Sequence, residues 1–485
     1  MVTKFSCKLD ATPIPLSHPW QHTVGSCHAL LALRADWQAQ MRQARADLGF
    51  HHVRFHGILC DDIGTVICQS MQLLYSFFNT DQIFDFLLSI GMKPIVELSF
   101  MPNALASGDT TVFHYRANVT PPKDYQQWGD LIFKVVSHWV DRYGISEVST
   151  WPFEVWNEPN LDAFWTGGQQ AYFRLYKATA EAIKRVNTRL QVGGPATAKN
   201  AWIDEFLQYC NSNKLPADFI STHSYPTDAF GEIGADTTTQ LEHSPKNVMR
   251  ARALQVREQA GGRPLYYTEW NVTSNPRDPL HDQSFAAALA ARIAMSVDDV
   301  VDAYSYWTFS DIFEENYFPS VPFHGGFGLM NLHGIAKPIY RAFQFMRDLG
   351  DVQLPTEGSH ETVAVWVGQK MDVIRAPTNL LLINQAMPRH AIHHESIQVH
   401  LSGPDNRHPR SVRISRIDED NCNPARAWQN MGQPEYLSTA AVEKIRGASE
   451  PVPTTHSFSD ELGLIVIDVT LPPQSLAFVS IEWES

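Results

Sequence analysis

Two glutamates, Glu158 in FEVWNEPN and Glu269 in YYTEWN, each close a run of apolar, β-favouring residues. Pro159 follows the first directly and cannot continue a hydrogen-bonded ladder. A carboxylate at such a strand end either accepts backbone hydrogen bonds and pairs with a rim arginine, or is presented to a ligand. Two of them opposed across a closed sheet suit glycoside hydrolysis. One is held protonated to give a proton to the leaving oxygen, while the other stays ionised to attack the anomeric carbon. The competing acids are Glu97, Glu154, Asp61 and Asp62. Glu154 is an even number of residues from Glu158, so the two share a strand face, and its deeper position marks it as structural.

Other polar side chains fall at equivalent places. HHVRFHG carries Arg54 and His56 two residues apart, and THSY carries His223 and Tyr225. YSYWTFSDIFEEN places Trp307 near a strand end, with Glu314 and Glu315 in the loop beyond. Arg54 suits a rim ion pair that would also orient an ionised glutamate. Trp307 reads as core packing or as a wall that stacks on a sugar ring. His223 has no His or Cys partner at ligand spacing, so neither a metal nor a cofactor is expected.

The elements that must position these residues recur between residues 20 and 350. Strand candidates are TVGSC (23–27), HHVRFHG (51–57), KPIVELS (93–99), PFEVWNE (152–158), LQVGGPA (190–196), DFISTHSY (218–225), PLYYTEW (264–270) and DAYSYWTF (302–309). Helical spacing separates them, as in DQIFDFLLSIG, where Ile83, Phe84, Leu87 and Leu88 share a face and Gly91 can cap the end. Eight such alternations predict an α/β fold, a (β/α)₈ barrel with functional groups at the C-terminal strand ends. A doubly wound open sheet is the second choice, but no GxGxxG follows the first strand. Beyond about residue 350 helical spacing fades, and TVAVWVG, NLLLINQA, SIQVHLSG, LGLIVIDVTL and SLAFVSIEW predict an antiparallel β-sandwich. KFSCKLD alternates as well, which predicts an N-terminal strand in that sandwich. The expected division is 1–14 for this strand, 15–348 for the barrel and 349–485 for the sandwich.

Composition bounds the partners. The 485 residues are 44% hydrophobic with 13 Trp, a supply that suits stacking on sugars. A formal net charge of −14 argues against nucleic acid and anionic membranes. Six cysteines without a CxxC pair read as mostly buried free thiols in a reducing compartment. The opening MVTKFSCKLDATPIPLSHPW has no apolar core of a signal peptide, and no stretch approaches a membrane span. A cytoplasmic protein acting on a small carbohydrate is expected. The sequons at Asn118 and Asn271 carry no weight there.

VRFHG (53–57), VFHYRANVTPPKDY (112–125), FEVWNEPN (153–160), STHSYP (221–226), YTEWN (267–271), YWTFSDIFEE (306–315) and HGGFGLM (324–330) together resemble glycoside hydrolase family 39. This is the clan A family of β-xylosidases and α-L-iduronidases, and the likeness leans toward the bacterial β-xylosidases. The resemblance implies a retaining enzyme with Glu158 as acid/base and Glu269 as nucleophile. Asn157 would bond the sugar 2-hydroxyl and Tyr225 would contact the nucleophile. Arg54, His56 and His223 would line the sugar site, Phe113 and Trp307 would wall it, and Glu314 and Glu315 would grip xylose hydroxyls. TEWNVTSNPRDPLHDQS departs from the family pattern, which puts Arg277 and His281 on the leaving-group side.

The Glu314–Glu315 pair places negative charge where a uronic acid carries its own, which disfavours an iduronide. A neutral pentose is expected, released from the non-reducing end of β-D-xylosides and xylo-oligosaccharides. An α-L-arabinoside differs mainly at the 4-hydroxyl, so arabinosidase activity, alone or alongside, is the alternative. A non-catalytic carbohydrate-binding barrel would normally have lost one acid, and both are present.

Overall fold

Eight parallel strands close into a barrel in the computed structural model, which describes residues 2–484 except 71, 230–235, 316–317, 320, 372–375, 404–407 and 462. They are Thr23–His28, His52–His56, Lys93–Leu98, Pro152–Val155, Gln191–Ala198, Phe219–His223, Leu265–Trp270 and Ala303–Tyr306. Each pairs with the next, and the eighth closes on the first. Helices lie outside. Phe78–Ser89 buries Ile83, Phe84 and Leu87, and ends where Gly91, at φ +70°, lets the Met92 N–H reach the Leu87 carbonyl at 2.9 Å.

The fourth strand is shorter than expected. It stops at Val155, because Trp156 (φ 72°) and Glu158 (φ 45°) turn left-handed and lift the chain off the ladder. The even spacing of Glu154 and Glu158 therefore does not put them on one strand face. Tyr225 and Trp307 also lie just past their strands.

The remaining chain forms two facing sheets. In one, Thr356–Glu357, Thr3–Lys8, Glu395–Ser402, Leu464–Leu471 and Ser459–Glu461 are neighbours in that order. The N-terminal strand thus joins this sheet, parallel to Glu395–Ser402, while the other pairings are antiparallel. The other sheet has seven strands and both its faces are covered. In Thr378–Asn384, Leu380 and Leu382 point into the sandwich core, whereas Leu381 and Ile383 join the barrel core. That is why this strand is apolar without alternation. The alanine-rich helix Ser284–Ser296 packs against this sheet, its small side chains permitting close approach.

Two helices in the C-terminal region, Pro424–Asn430 and Thr439–Ser449, contradict the expectation that helix ends near residue 350. They pack Trp428 and Ile445 against Phe323 and Ile335 of the barrel, and Arg341 donates to the Ser449 carbonyl at 2.8 Å. No helix among the described residues is long and apolar enough to cross a membrane. All six cysteines are free, five of them buried. Asn118 and Asn271 are buried, with side-chain amides bonded inside the protein, so neither sequon is open to a glycan in the fold.

Candidate active site

FEVWNEPN builds one wall of the site almost residue by residue. Phe153 and Val155 fill the core, and the Trp156 indole N–H holds the Phe164 carbonyl at 2.8 Å. Asn160 accepts from the Ala198 N–H at 2.8 Å and donates to its carbonyl at 3.1 Å, tying this loop to the fifth strand. The Glu158 N–H bonds the Ala196 carbonyl at 2.8 Å.

Arg54, fully buried, is the hub beneath. Its guanidinium donates to Glu154 at 2.5 Å, Glu269 Oε1 at 2.6 Å and Asn157 Oδ1 at 2.9 Å, with Glu97 at 2.9 Å. Burial works against its charge, but Glu154, Glu97 and Glu269 outweigh it and raise the pKa further. Glu154 and Glu97 thus serve the arginine. With Oδ1 occupied, Asn157 is left its NH₂ to donate into the cavity. His56 bonds Glu97 at 2.8 Å and lies 3.7 Å from both Glu269 and Glu315. Burial opposes its protonation, yet the charge and hydrogen bond of Glu97, helped by Glu269, hold its pKa above the usual value.

Carboxylate oxygens of Glu158 and Glu269 approach within 4.8 Å, with His223 beside both. Retaining glycosidases hold their carboxyls at about 5–5.5 Å and inverting ones at about 6.5–9.5 Å, so oxygens this close favour the retaining arrangement. Burial pushes the Glu158 pKa to about 7, which the charges of His56 and Arg54 only partly offset. Desolvation is thus the largest cause that keeps the proton on Glu158. Tyr225 donates to Glu269 Oε2 at 3.0 Å. His223 Nδ1 is 3.0 Å from Glu158 and 3.5 Å from Glu269, Nε2 is 3.1 Å from the Thr268 hydroxyl, and burial lowers its pKa to about 4.

Glu158 and Glu269 open into a cavity of about 290 Å³ walled by Phe113, Phe164, Trp307 and Phe327. Trp307 lies so close to Gly25 that a Cβ there would meet its ring at 2.5 Å. Glu315 Oε1 is buried in this wall without a hydrogen-bond partner, and burial pushes its pKa to about 8. The Thr111–Asn118 hairpin closes over this side, with the His114 N–H on the Glu315 carbonyl at 2.7 Å.

The cavity therefore gathers His56, Phe113, Asn157, Tyr225, Trp307 and Glu315 around the two acids, with Arg54 and His223 supporting from behind. Glu314 does not join them: its carboxylate turns away to Arg34 at 2.5 Å. His281 is buried against Thr273 and Gly325, and Arg277 reaches toward the Phe318 carbonyl, so neither lines the cavity. Ser274 and Pro276 do so from that loop, and Lys199, paired with Asp228, stands at the mouth. Lys199 carried no signal in sequence, since its place depends on a left-handed turn (φ 58°) after the fifth strand.

Two groups among the described residues bring possible metal ligands within 4.8 Å: Glu158, His223 and Glu269, and His28, Cys60 and Asp62. In the first, Arg54 and Tyr225 already satisfy Glu269. In the second, His28 pairs with Asp62 at 3.2 Å, and burial keeps the Cys60 thiol protonated.

A (β/α)₈ barrel presenting two glutamates at this spacing, one protonated and one clamped by arginine, defines a glycoside hydrolase. The family model for "Glycosyl hydrolases family 39" matches residues 4–463, and the chain belongs to that family. It is 46% identical over 470 residues to a β-xylosidase of Caldicellulosiruptor saccharolyticus, covering 96% of this chain and 95% of that one. A β-xylosidase of Geobacillus stearothermophilus is 38% identical over 479 residues, covering 96% and 92%. A solved family 39 β-xylosidase from Caulobacter crescentus superposes with a TM-score of 0.82 at 33% identity, covering 99% of both chains.

Proposed function

We propose that the protein is a retaining exo-β-xylosidase that removes xylose from the non-reducing end of β-D-xylosides and xylo-oligosaccharides. The observation that carries this is the close approach of Glu158 and Glu269, with oxygens within 4.8 Å, in a pocket of about 290 Å³. That volume lies at the lower end of small-molecule sites, which suits one sugar ring better than a chain. Full-length identity of 46% and 38% to β-xylosidases supports the same reading.

Glu269 attacks the anomeric carbon as Glu158 protonates the departing oxygen, and Glu158 then deprotonates the water that releases xylose. Asn157 donates to the 2-hydroxyl, Tyr225 and Arg54 orient the nucleophile, and Glu315 meets a sugar hydroxyl with its unpartnered oxygen. Burial keeps Glu315 protonated at neutral pH, so charge repulsion is not what turns away an iduronide. The cations of the wall, His56 and Lys199, are already paired with Glu97 and Asp228, which leaves a uronate carboxylate without a partner. The free cysteines favour a reducing compartment, the cytoplasm.

The test is a panel of aryl glycosides: β-D-xyloside, α-L-arabinopyranoside, α-L-arabinofuranoside, β-D-glucoside and α-L-iduronide. The β-D-xyloside should have the highest kcat/KM, with β-xylose as the first-formed anomer by NMR. Glu269→Ala should be inactive and regain turnover with azide, giving an α-xylosyl azide. Full activity in that variant would remove Glu269 from the role, and a preference for an arabinoside would replace the substrate.

A further inference from the structure

We propose that Thr268 is a positioning residue that fixes the tautomer of His223 and thereby keeps the proton of the catalytic acid on Glu158. The inference rests on the assignment of Glu158 as acid/base, and follows from counting protons along one buried line. Arg54 is bonded to Glu154 at 2.5 Å, so Glu154 is ionised and only accepts. The Thr268 hydroxyl lies 2.7 Å from Glu154 Oε1 and must spend its single proton there. Its oxygen then accepts from His223 Nε2, 3.1 Å away, so Nε2 carries the imidazole hydrogen.

A neutral imidazole with hydrogen on Nε2 has a bare Nδ1. That bare nitrogen faces Glu158 Oε1 at 3.0 Å. Two lone pairs at this distance repel, whereas a protonated Glu158 donates to the nitrogen. The opposite tautomer would donate to Glu158, favour its carboxylate and weaken it as an acid. Burial, which lowers the His223 pKa, keeps the ring neutral.

The groups facing Glu158 from other elements are His56 and Arg54 of the second strand, Glu97 of the third, Lys199 after the fifth and Glu315 after the eighth, beside Glu269 and Tyr225. Of these only Glu269 comes near the His223 ring, its Oε2 3.5 Å from Nδ1, but that oxygen accepts from the Tyr225 hydroxyl at 3.0 Å and stands farther from Nδ1 than Glu158 does. Thr268 selects the tautomer because it is held from its other side by an anion. In the first step the Glu158 proton passes to the leaving oxygen as the C1–O bond breaks and Glu269 bonds to C1. In the second, water adds to C1 as the Glu269 bond breaks, and its proton returns to Glu158. His223 stays neutral throughout.

Thr268→Val keeps the shape and removes the hydroxyl, while Thr268→Ser keeps the hydroxyl. Nitrogen-15 NMR of the imidazole should report His223 with hydrogen on Nε2 in the wild type and Thr268→Ser, and on Nδ1 in Thr268→Val. The alkaline limb of kcat/KM should move down by about one pH unit in Thr268→Val only. Its loss of rate should be about tenfold greater on aryl xylosides with poor leaving groups than with good ones. A wild-type ring bearing hydrogen on Nδ1 would overturn the proposal. So would an unmoved alkaline limb with equal loss on all leaving groups, which is what a packing defect alone produces. Inertness of the wild type toward every aryl pentoside would instead overturn the xylosidase reading, and the imidazole signals, which need no turnover, would then decide the relay alone.

Discussion

Glu158 is buried among groups that could ionise it, and its local desolvation decides the outcome. Activity needs its proton, so kcat/KM is expected to fall as pH rises through about 7, the value to which burial lifts it. In Glu158→Ala that alkaline limb should disappear. Rates on poor leaving groups should drop about 10²–10⁴-fold while activated aryl xylosides are largely spared, as pH-rate profiles across a leaving-group series will read. Both acids were legible in sequence because each terminates an apolar run. Glu154, Glu97 and Thr268 were not legible as a unit with Arg54. Their contacts span tens to more than a hundred positions in the chain and exist only once the barrel closes. Nor could sequence separate Glu314 from Glu315. One peptide's turn sends the first to Arg34 and the second into the wall.

The loop HGGFGLM, after the eighth strand, shows how an element without regular structure is made rigid. Lys337, fully buried, donates to Asp282 at 2.8 Å, Asp311 at 2.7 Å and the Gly326 carbonyl at 2.9 Å. The same two aspartates accept the N–H groups of Gly325 and Gly328, each at 2.7 Å. Gly326 must lack a side chain, since a Cβ would fall 2.3 Å from Asp311 Oδ1. Phe327 is thereby set against the sugar cavity. Lys337→Met should leave two carboxylates buried without their cation and cost about 3–5 kcal/mol, measurable by denaturant unfolding. Because the loop holds Phe327, KM for aryl xylosides should rise with it. At this scale the barrel strands were legible from their β-branched runs. The helices Pro424–Asn430 and Thr439–Ser449 were not, being too short for a 3.6-residue period to stand out among prolines and glycines.

Across the whole molecule, the sandwich is stitched from both ends of the chain around the barrel, and its seven-stranded sheet belongs to two cores at once. Removing residues 2–9 strips Glu395–Ser402 of a neighbour and deletes Phe5, Cys7 and Leu9 from the sandwich core. At about 1.5–3 kcal/mol for a buried large apolar side chain, the loss should appear as earlier thermal unfolding and aggregation. Before unfolding, kcat/KM should be unchanged, because the residues lining the site belong to the barrel strands and the loops that follow them, none to the sandwich. The alternation in KFSCKLD made this strand legible, but its parallel pairing was not, since register with a partner so far along the chain leaves no local mark. The same placement sets a timetable. On a ribosome adding about 5–20 residues per second, the first strand waits about 20–80 s before residues 395–402 exist to receive it. Throughout that interval Phe5 and Cys7 have nowhere to go, and Lys4 and Lys8, interleaved with them, are the charges that keep the waiting segment from pairing with a stranger.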